Sequence, residues 1–148
     1  ALYQGAAFTV ERDIIRAAEE EHRYADAGRF VAGNLPPHSV VLAFQHSGAV
    51  RLYSAHLTLR YDLLDPEWLD RALDHLRREG HEPYLLLEDW EVERFRERFA
   101  GQQSAALVDL PPLAAMPDRK VLLFAGDPSQ RGPGTAIMPR THGCRTAW

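Results

Sequence analysis

Helical spacing and short apolar runs follow one another along the chain, and their order predicts the fold. Between Thr9 and Asn34, Val10, Ile14, Ala17 and Ala18 form one apolar stripe, and Tyr24, Ala27, Phe30, Val31 and Leu35 form another. The acidic run Glu19-Glu20-Glu21 lies between them as a solvated face, so the segment is one long helix or two that join near His22. Thr9 suits an N-cap, Asn34 lies in the C-cap region, and Pro36-Pro37 stops the helix. Val40-Val41-Leu42-Ala43-Phe44 then reads as a buried strand, and Ala49 to Ala55 as a short helix. Leu57-Thr58-Leu59-Arg60-Tyr61 alternates apolar with polar, which predicts an edge strand with one wet face. Asp65-Pro66 is a strong helix start. It leads into Trp68, Leu69, Ala72, Leu73 and Leu76 on one face, closed by Gly80. Tyr84 to Leu87 reads as a second buried strand with Pro83 at its beginning. Asp89 suits the cap of a helix with Val92, Phe95 and Phe99 inward and Gly101 at its end. Ala105 to Leu110 and Val121 to Phe124 are the remaining apolar runs, read as strands.

This order predicts an α/β three-layer sandwich, Rossmann-like or flavodoxin-like, with a mostly parallel sheet of about five strands. If the alternating strand is an edge, right-handed crossovers give the order 2-1-3-4 with the last strand antiparallel. The domain is expected over 24–127, after a connecting helix or linker over 1–23. The Gly, Pro and Arg residues near the end, among them Gly132-Pro133-Gly134, Arg140 and Arg145, predict a weakly ordered tail over 128–148.

Composition narrows the function classes. Apolar residues make up 45% and charged residues 26% of 148, an ordinary folding composition rather than a disordered one. A net charge of −4 argues against a nucleic-acid binder that works through a broad basic face. The single cysteine, Cys144, excludes an internal disulfide and a multi-cysteine zinc site. No apolar run approaches the ~18 residues that span a bilayer. The chain starts at Ala1 with no basic segment followed by an apolar one, so no signal peptide is expected, and an excised or processed piece is.

Nucleotide and hydrolase signatures are absent: there is no Gly-x-Gly-x-x-Gly, no phosphate loop, no His-Glu-x-x-His and no Gly-x-Ser-x-Gly. No cofactor and no metal are therefore expected, and His142 with Cys144 reads as incidental. Tyr53, Tyr61, Trp68 and Tyr84 read as core and rim rather than a base-stacking platform. Chemistry in an open parallel sheet collects at the carboxyl ends of strands flanking the switch in strand order. Here those ends are Gln45-His46-Ser47-Gly48 and Glu88-Asp89-Trp90, with Tyr61-Asp62 leaving the neighbouring edge. His46, Ser47, Asp62, Glu88 and Asp89 are the candidate ligand-binding residues, and a His opposite a carboxylate can do acid–base work. The plainer reading is that Ser47 and Asp89 cap helices, and no catalytic residue is assigned.

The stretches Phe30-Val31-Ala32-Gly33-Asn34-Leu35-Pro36-Pro37, Val40-Val41-Leu42 and Gln45-His46-Ser47-Gly48 carry a resemblance. Leu57 to Asp62 and Pro83 to Glu91 extend it. They resemble the soluble C-terminal domain of bacterial membrane glycosyltransferases akin to the dolichyl-phosphate-mannose–protein mannosyltransferase family. The resemblance covers about half of the chain. It implies an extracytoplasmic module, not catalytic alone, since the family's catalytic carboxylates lie in its membrane part. It implies as partners the membrane part of a parent chain and a glycan or protein acceptor. The alternative is a free-standing, cytoplasmic α/β enzyme or ligand-binding protein using the strand-end cluster.

Overall fold

Helix α1 opens the computed structural model, which describes residues 22–116 and 120–130; α1 is described over 22–34. Ala27, Val31 and Leu35 are buried along it with Phe30 packed beside them, as their spacing predicts. The Asn34 side chain folds back one turn and donates to the Phe30 carbonyl (2.8 Å) at the end of the helix. The Thr9 cap, the stripe through Ala18, the acidic run, His142, Cys144 and the tail beyond residue 130 lie outside the described residues.

The strands are β1 (Ser39–Leu42), β2 (Leu57–Leu59), β3 (Glu82–Glu88), β4 (Ala114–Ala115) and β5 (Val121–Ala125). They form a mixed sheet in the order β2-β1-β3-β5-β4. β1 pairs in parallel with β2 and β3, whereas β5 runs antiparallel to β3 and β4. The edge position of β2, the order 2-1-3 and the reversed last strand agree with the sequence reading. The pairings are more antiparallel than expected, because β5 takes the place beside β3 intended for the Ala105–Leu110 run.

That run is not a strand. Residues Gln103–Asp109 form a 3-10 helix, with Ala105, Leu107 and Val108 buried and Ala106 exposed. The Asp70 carboxylate accepts the backbone N–H of Gln103 (2.9 Å) and Ser104 (2.8 Å), anchoring the start of this turn. An apolar run alone does not separate strand from buried helix, and these two anchors decide it.

Helices α2 (Ser47–Ser54), α3 (Leu69–Arg78) and α4 (Asp89–Arg98) complete the set. Side chains alternate across the sheet. Val41, Ala43, Tyr84, Leu86 and Leu123 join α1 and α2 in one core cluster. Leu42, Leu85, Leu87 and Phe124 join α3, α4 and the Gln103–Asp109 turn in the other. Helices thus flank the sheet on both faces.

Asp65 caps as expected: its Oδ1 accepts the Glu67 N–H (2.9 Å), and Pro66 opens a 3-10 turn over Pro66–Trp68 that leads into α3. The tighter turn rotates Trp68 off the inner face. It is 49% exposed, with the Arg71 guanidinium 4.5 Å from its ring centroid, contrary to the sequence reading. At the other end Gly80 takes φ 82°. The Gly80 N–H bonds Arg77 O and the His81 N–H bonds Leu76 O, the pairing of a Schellman cap. Asp65→Ala is expected to lower stability by about 0.5–2 kcal/mol. Urea unfolding measures it, and an unchanged midpoint would show that the carboxylate does not act as a cap.

Gly126 closes β5 against β3. A Cβ there would stand 2.4 Å from the Pro83 carbonyl oxygen and 2.6 Å from its carbonyl carbon. Both are backbone atoms of a central strand, and that oxygen already accepts the Gly126 N–H (3.0 Å). Gly126→Ala must push β3 and β5 apart and is expected to cost ~1–3 kcal/mol. Thermal unfolding within error of the parent chain would contradict this close approach.

Candidate functional site

Parallel neighbours deliver their carboxyl ends to the same edge of the sheet, so β1 and β3 bring the turn after Leu42 and the residues around Glu88 together. Glu88 lies two residues beyond Leu86 and shares its face, the one covered by α1 and α2. Its Oε1 meets His46 Nε2 at 3.0 Å and Arg23 Nη2, from α1, at 3.4 Å. Its Oε2 accepts the Trp90 indole N–H (2.8 Å). The same carboxylate accepts the Glu91 N–H as the N-cap of α4, and Glu91 Oε2 returns to the Glu88 N–H (2.7 Å), a reciprocal capping box.

Glu91 carries the network to the opposite face. Its Oε1 accepts the Tyr61 hydroxyl (2.8 Å) and the Gln45 N–H (3.4 Å). His46 and Glu91 are fully buried and Glu88 nearly so. The Tyr24 ring packs 4.9 Å from the His46 ring, and the Gln45 amide donates to the Tyr24 hydroxyl.

Burial sets the electrostatics. It pushes the His46 imidazolium pKa below its ordinary value against the pull of Glu88, and Arg23 pushes the same way. Neutral His46 then donates Nε2–H to the carboxylate, which leaves Nδ1 a bare acceptor with no hydrogen-bond partner among the described residues. Burial also raises the Glu91 carboxyl, opposed by the N–H and hydroxyl donors that converge on it, and raises the Tyr61 phenol.

Of the five sequence candidates, the structure brings His46 and Glu88 together and leaves three apart. The Ser47 hydroxyl donates to the Phe44 carbonyl (2.8 Å) and caps nothing, since His46 holds the N-cap position of α2. Asp89 is exposed; its Oδ1 accepts the adjacent Trp90 N–H, and the cap expected of it is supplied by Glu88 one residue earlier. Asp62 stays with Arg60 at the sheet edge, and that guanidinium holds its carboxyl below the usual value. Arg23 and Glu91 belong to the network but were not candidates. The Glu88-x-x-Glu91 spacing was the available signal for Glu91, masked because a capping box ordinarily begins with Ser or Thr.

Chemically, the pair is a closed junction of α1, β1 and β3. A shallow groove of about 480 Å³ lies beside it, lined by Tyr24, Gln45, Gly48, Ala49, Leu52 and Tyr53. The groove shares Tyr24 and Gln45 with the network, but neither His46 nor Glu88 lines it. Among the described residues no group of three or more His, Cys, Asp or Glu is placed to hold a metal ion. No family model, curated protein or solved structure matches the chain.

Proposed function

We propose that the chain is an extracytoplasmic accessory domain of a membrane-bound glycosyltransferase that uses a lipid-linked sugar, with no turnover of its own. In this reading its helix-flanked sheet is a variant of the Rossmann-like three-layer sandwich. Its partners are the membrane part of its parent chain and a glycan or protein acceptor. The observation that carries the reading is the closed network at the carboxyl ends of β1 and β3. Where an α/β enzyme opens its site, His46, Glu88 and Glu91 are spent on one another and covered by α1. Three of the segments that carry the family resemblance, Phe30 to Pro37, Gln45 to Gly48 and Pro83 to Glu91, are the end of α1, the turn after β1, and β3 with the start of α4; the last two hold His46, Glu88 and Glu91. Among the described residues no helix is long and apolar enough to cross a membrane, as a separate module requires.

The test is the parent reading frame and its activity. Apolar spans encoded upstream of Ala1 are expected. Deletion of this domain is expected to impair sugar transfer to the acceptor, while the isolated chain transfers and hydrolyses nothing. A reading frame that begins at Ala1, or turnover by the isolated chain, overturns the proposal. A free-standing binding protein is the second reading, favoured by the groove beside Tyr24 and Tyr53. Chemical-shift titration with nucleotides, sugar phosphates and short glycans separates the two, since a free-standing binder shifts residues lining that groove.

A further inference from the structure

We propose that Glu88, His46 and Arg23 form a proton-operated latch that holds the first described turn of α1 to the sheet edge and releases it on acidification. The inference is independent of the glycosyltransferase reading. A carboxylate offers about four acceptor sites. In Glu88 they serve His46 Nε2, Arg23 Nη2, the Trp90 indole N–H and the Glu91 N–H. The carboxylate has nothing left to give.

Protonating His46 adds an N–H at Nδ1, where no acceptor stands among the described residues, and a positive charge inside a fully buried ring. Arg23 is the nearest like charge, and it shares the one oxygen that His46 uses. Other titratable groups around the ring give no relief. Tyr24, from α1, offers only its ring, and its hydroxyl is engaged by Gln45. Glu91, from α4, is directed to the Gln45 N–H and the Tyr61 hydroxyl, and its burial favours taking up a proton as the pH falls, which removes negative charge.

The cheapest adjustment is for Arg23 to leave. Its side chain is already 28% exposed, and its departure gives the imidazolium sole use of Glu88 Oε1. Tyr24 follows on the same turn. The sign agrees with the depressed His46 pKa: a group that binds its proton more weakly in the latched state favours the released state as pH falls below its ordinary value. Release therefore begins below the ordinary histidine pKa of about 6.5.

The test is an NMR titration of the 148-residue chain, following the His46 ring nitrogens and the amide exchange of residues 23–27 corrected for intrinsic pH dependence. At pH 7 His46 should be the neutral Nε2–H tautomer. On acidification, α1 exchange should rise about tenfold with the midpoint of the His46 titration, while β1 and β3 stay protected. Arg23→Gln removes the competing cation and should raise the His46 midpoint by about half a unit to one unit. His46→Gln should abolish the acid step in α1 exchange. The latch is overturned by a His46 midpoint that Arg23→Gln leaves unchanged or lowers, or by α1 exchange that does not track His46. The Arg23→Gln arm decides the question by itself where His46→Gln fails to fold.

Discussion

Glu91→Ala is expected to lower the unfolding free energy by about 3–5 kcal/mol, because it strands two buried donors at ~1–3 kcal/mol each and removes buried side-chain contacts besides. The donors are the Glu88 N–H at 2.7 Å and the Tyr61 hydroxyl at 2.8 Å. Gln45 N–H, at 3.4 Å, loses a weaker partner. Neither close donor has an alternative: one is fixed by the β3–α4 junction, and the other is held by a ring wedged among aromatics. Tyr61→Phe removes donor and bond together and should cost only ~0.5–1.5 kcal/mol. The pH dependence follows from burial, which raises the folded-state pKa of Glu91 above its unfolded value. A carboxyl raised in this way contributes proton-linked stability that is fully present below the unfolded pKa and lost as pH rises through the folded one. The gap between the parent chain and Glu91→Ala therefore widens as the pH falls from 7 toward the ordinary carboxyl pKa of about 4.3. Urea unfolding at pH 7 and pH 5 measures it. A cost below ~1 kcal/mol at both would mean that water satisfies these donors and that the site is open, not closed.

Much of this architecture was legible because it depends on local chemistry. Asp65-Pro66 and Gly80 mark α3 through cap and turn geometry that the residues determine themselves. Leu85 and Leu87 must face one side while Tyr84 and Leu86 face the other, whatever lies beyond. The Ala105–Leu110 run failed because its conformation is set from outside, by the Asp70 carboxylate on α3. The two-residue β4 had too little pattern to show. In the site, the meeting of His46 with Glu88 follows from strand ends alone, once β1 and β3 are parallel neighbours. Arg23 was invisible because its role depends on how α1 lies across the sheet. Ser47 and Asp89 misled because a good capping residue at a helix start does not guarantee the cap: the N-cap position falls one residue earlier in both helices, where Glu88 caps α4 with its side chain and His46 makes no side-chain cap to α2.

Phe95→Ala carries an expected cost of comparable size, about 3–5 kcal/mol, the range for deleting a fully buried Phe side chain. The ring has no solvent exposure. Its centroid lies 5.2 Å from that of Tyr61, near edge-on, and 4.9 Å from that of Phe99, in the cluster between the sheet and α3, α4 and the Gln103–Asp109 turn. Aromatic pairs in such arrangements contribute ~0.5–1.5 kcal/mol beyond burial, so part of the cost belongs to the Tyr61 contact. That contact joins the core to the polar network, because the ring that packs on Phe95 also presents its hydroxyl to Glu91. Removing Phe95 frees the Tyr61 ring to move and loosens the bond that Glu91→Ala would break. The two substitutions should therefore be less costly together than their sum, by at least ~0.5 kcal/mol, the coupling expected of residues that share a partner. A double-mutant cycle in urea measures this coupling. Strict additivity would show that Tyr61 is held by the backbone of its own turn, with the aromatic cluster and the Glu88–Glu91 box acting as independent units.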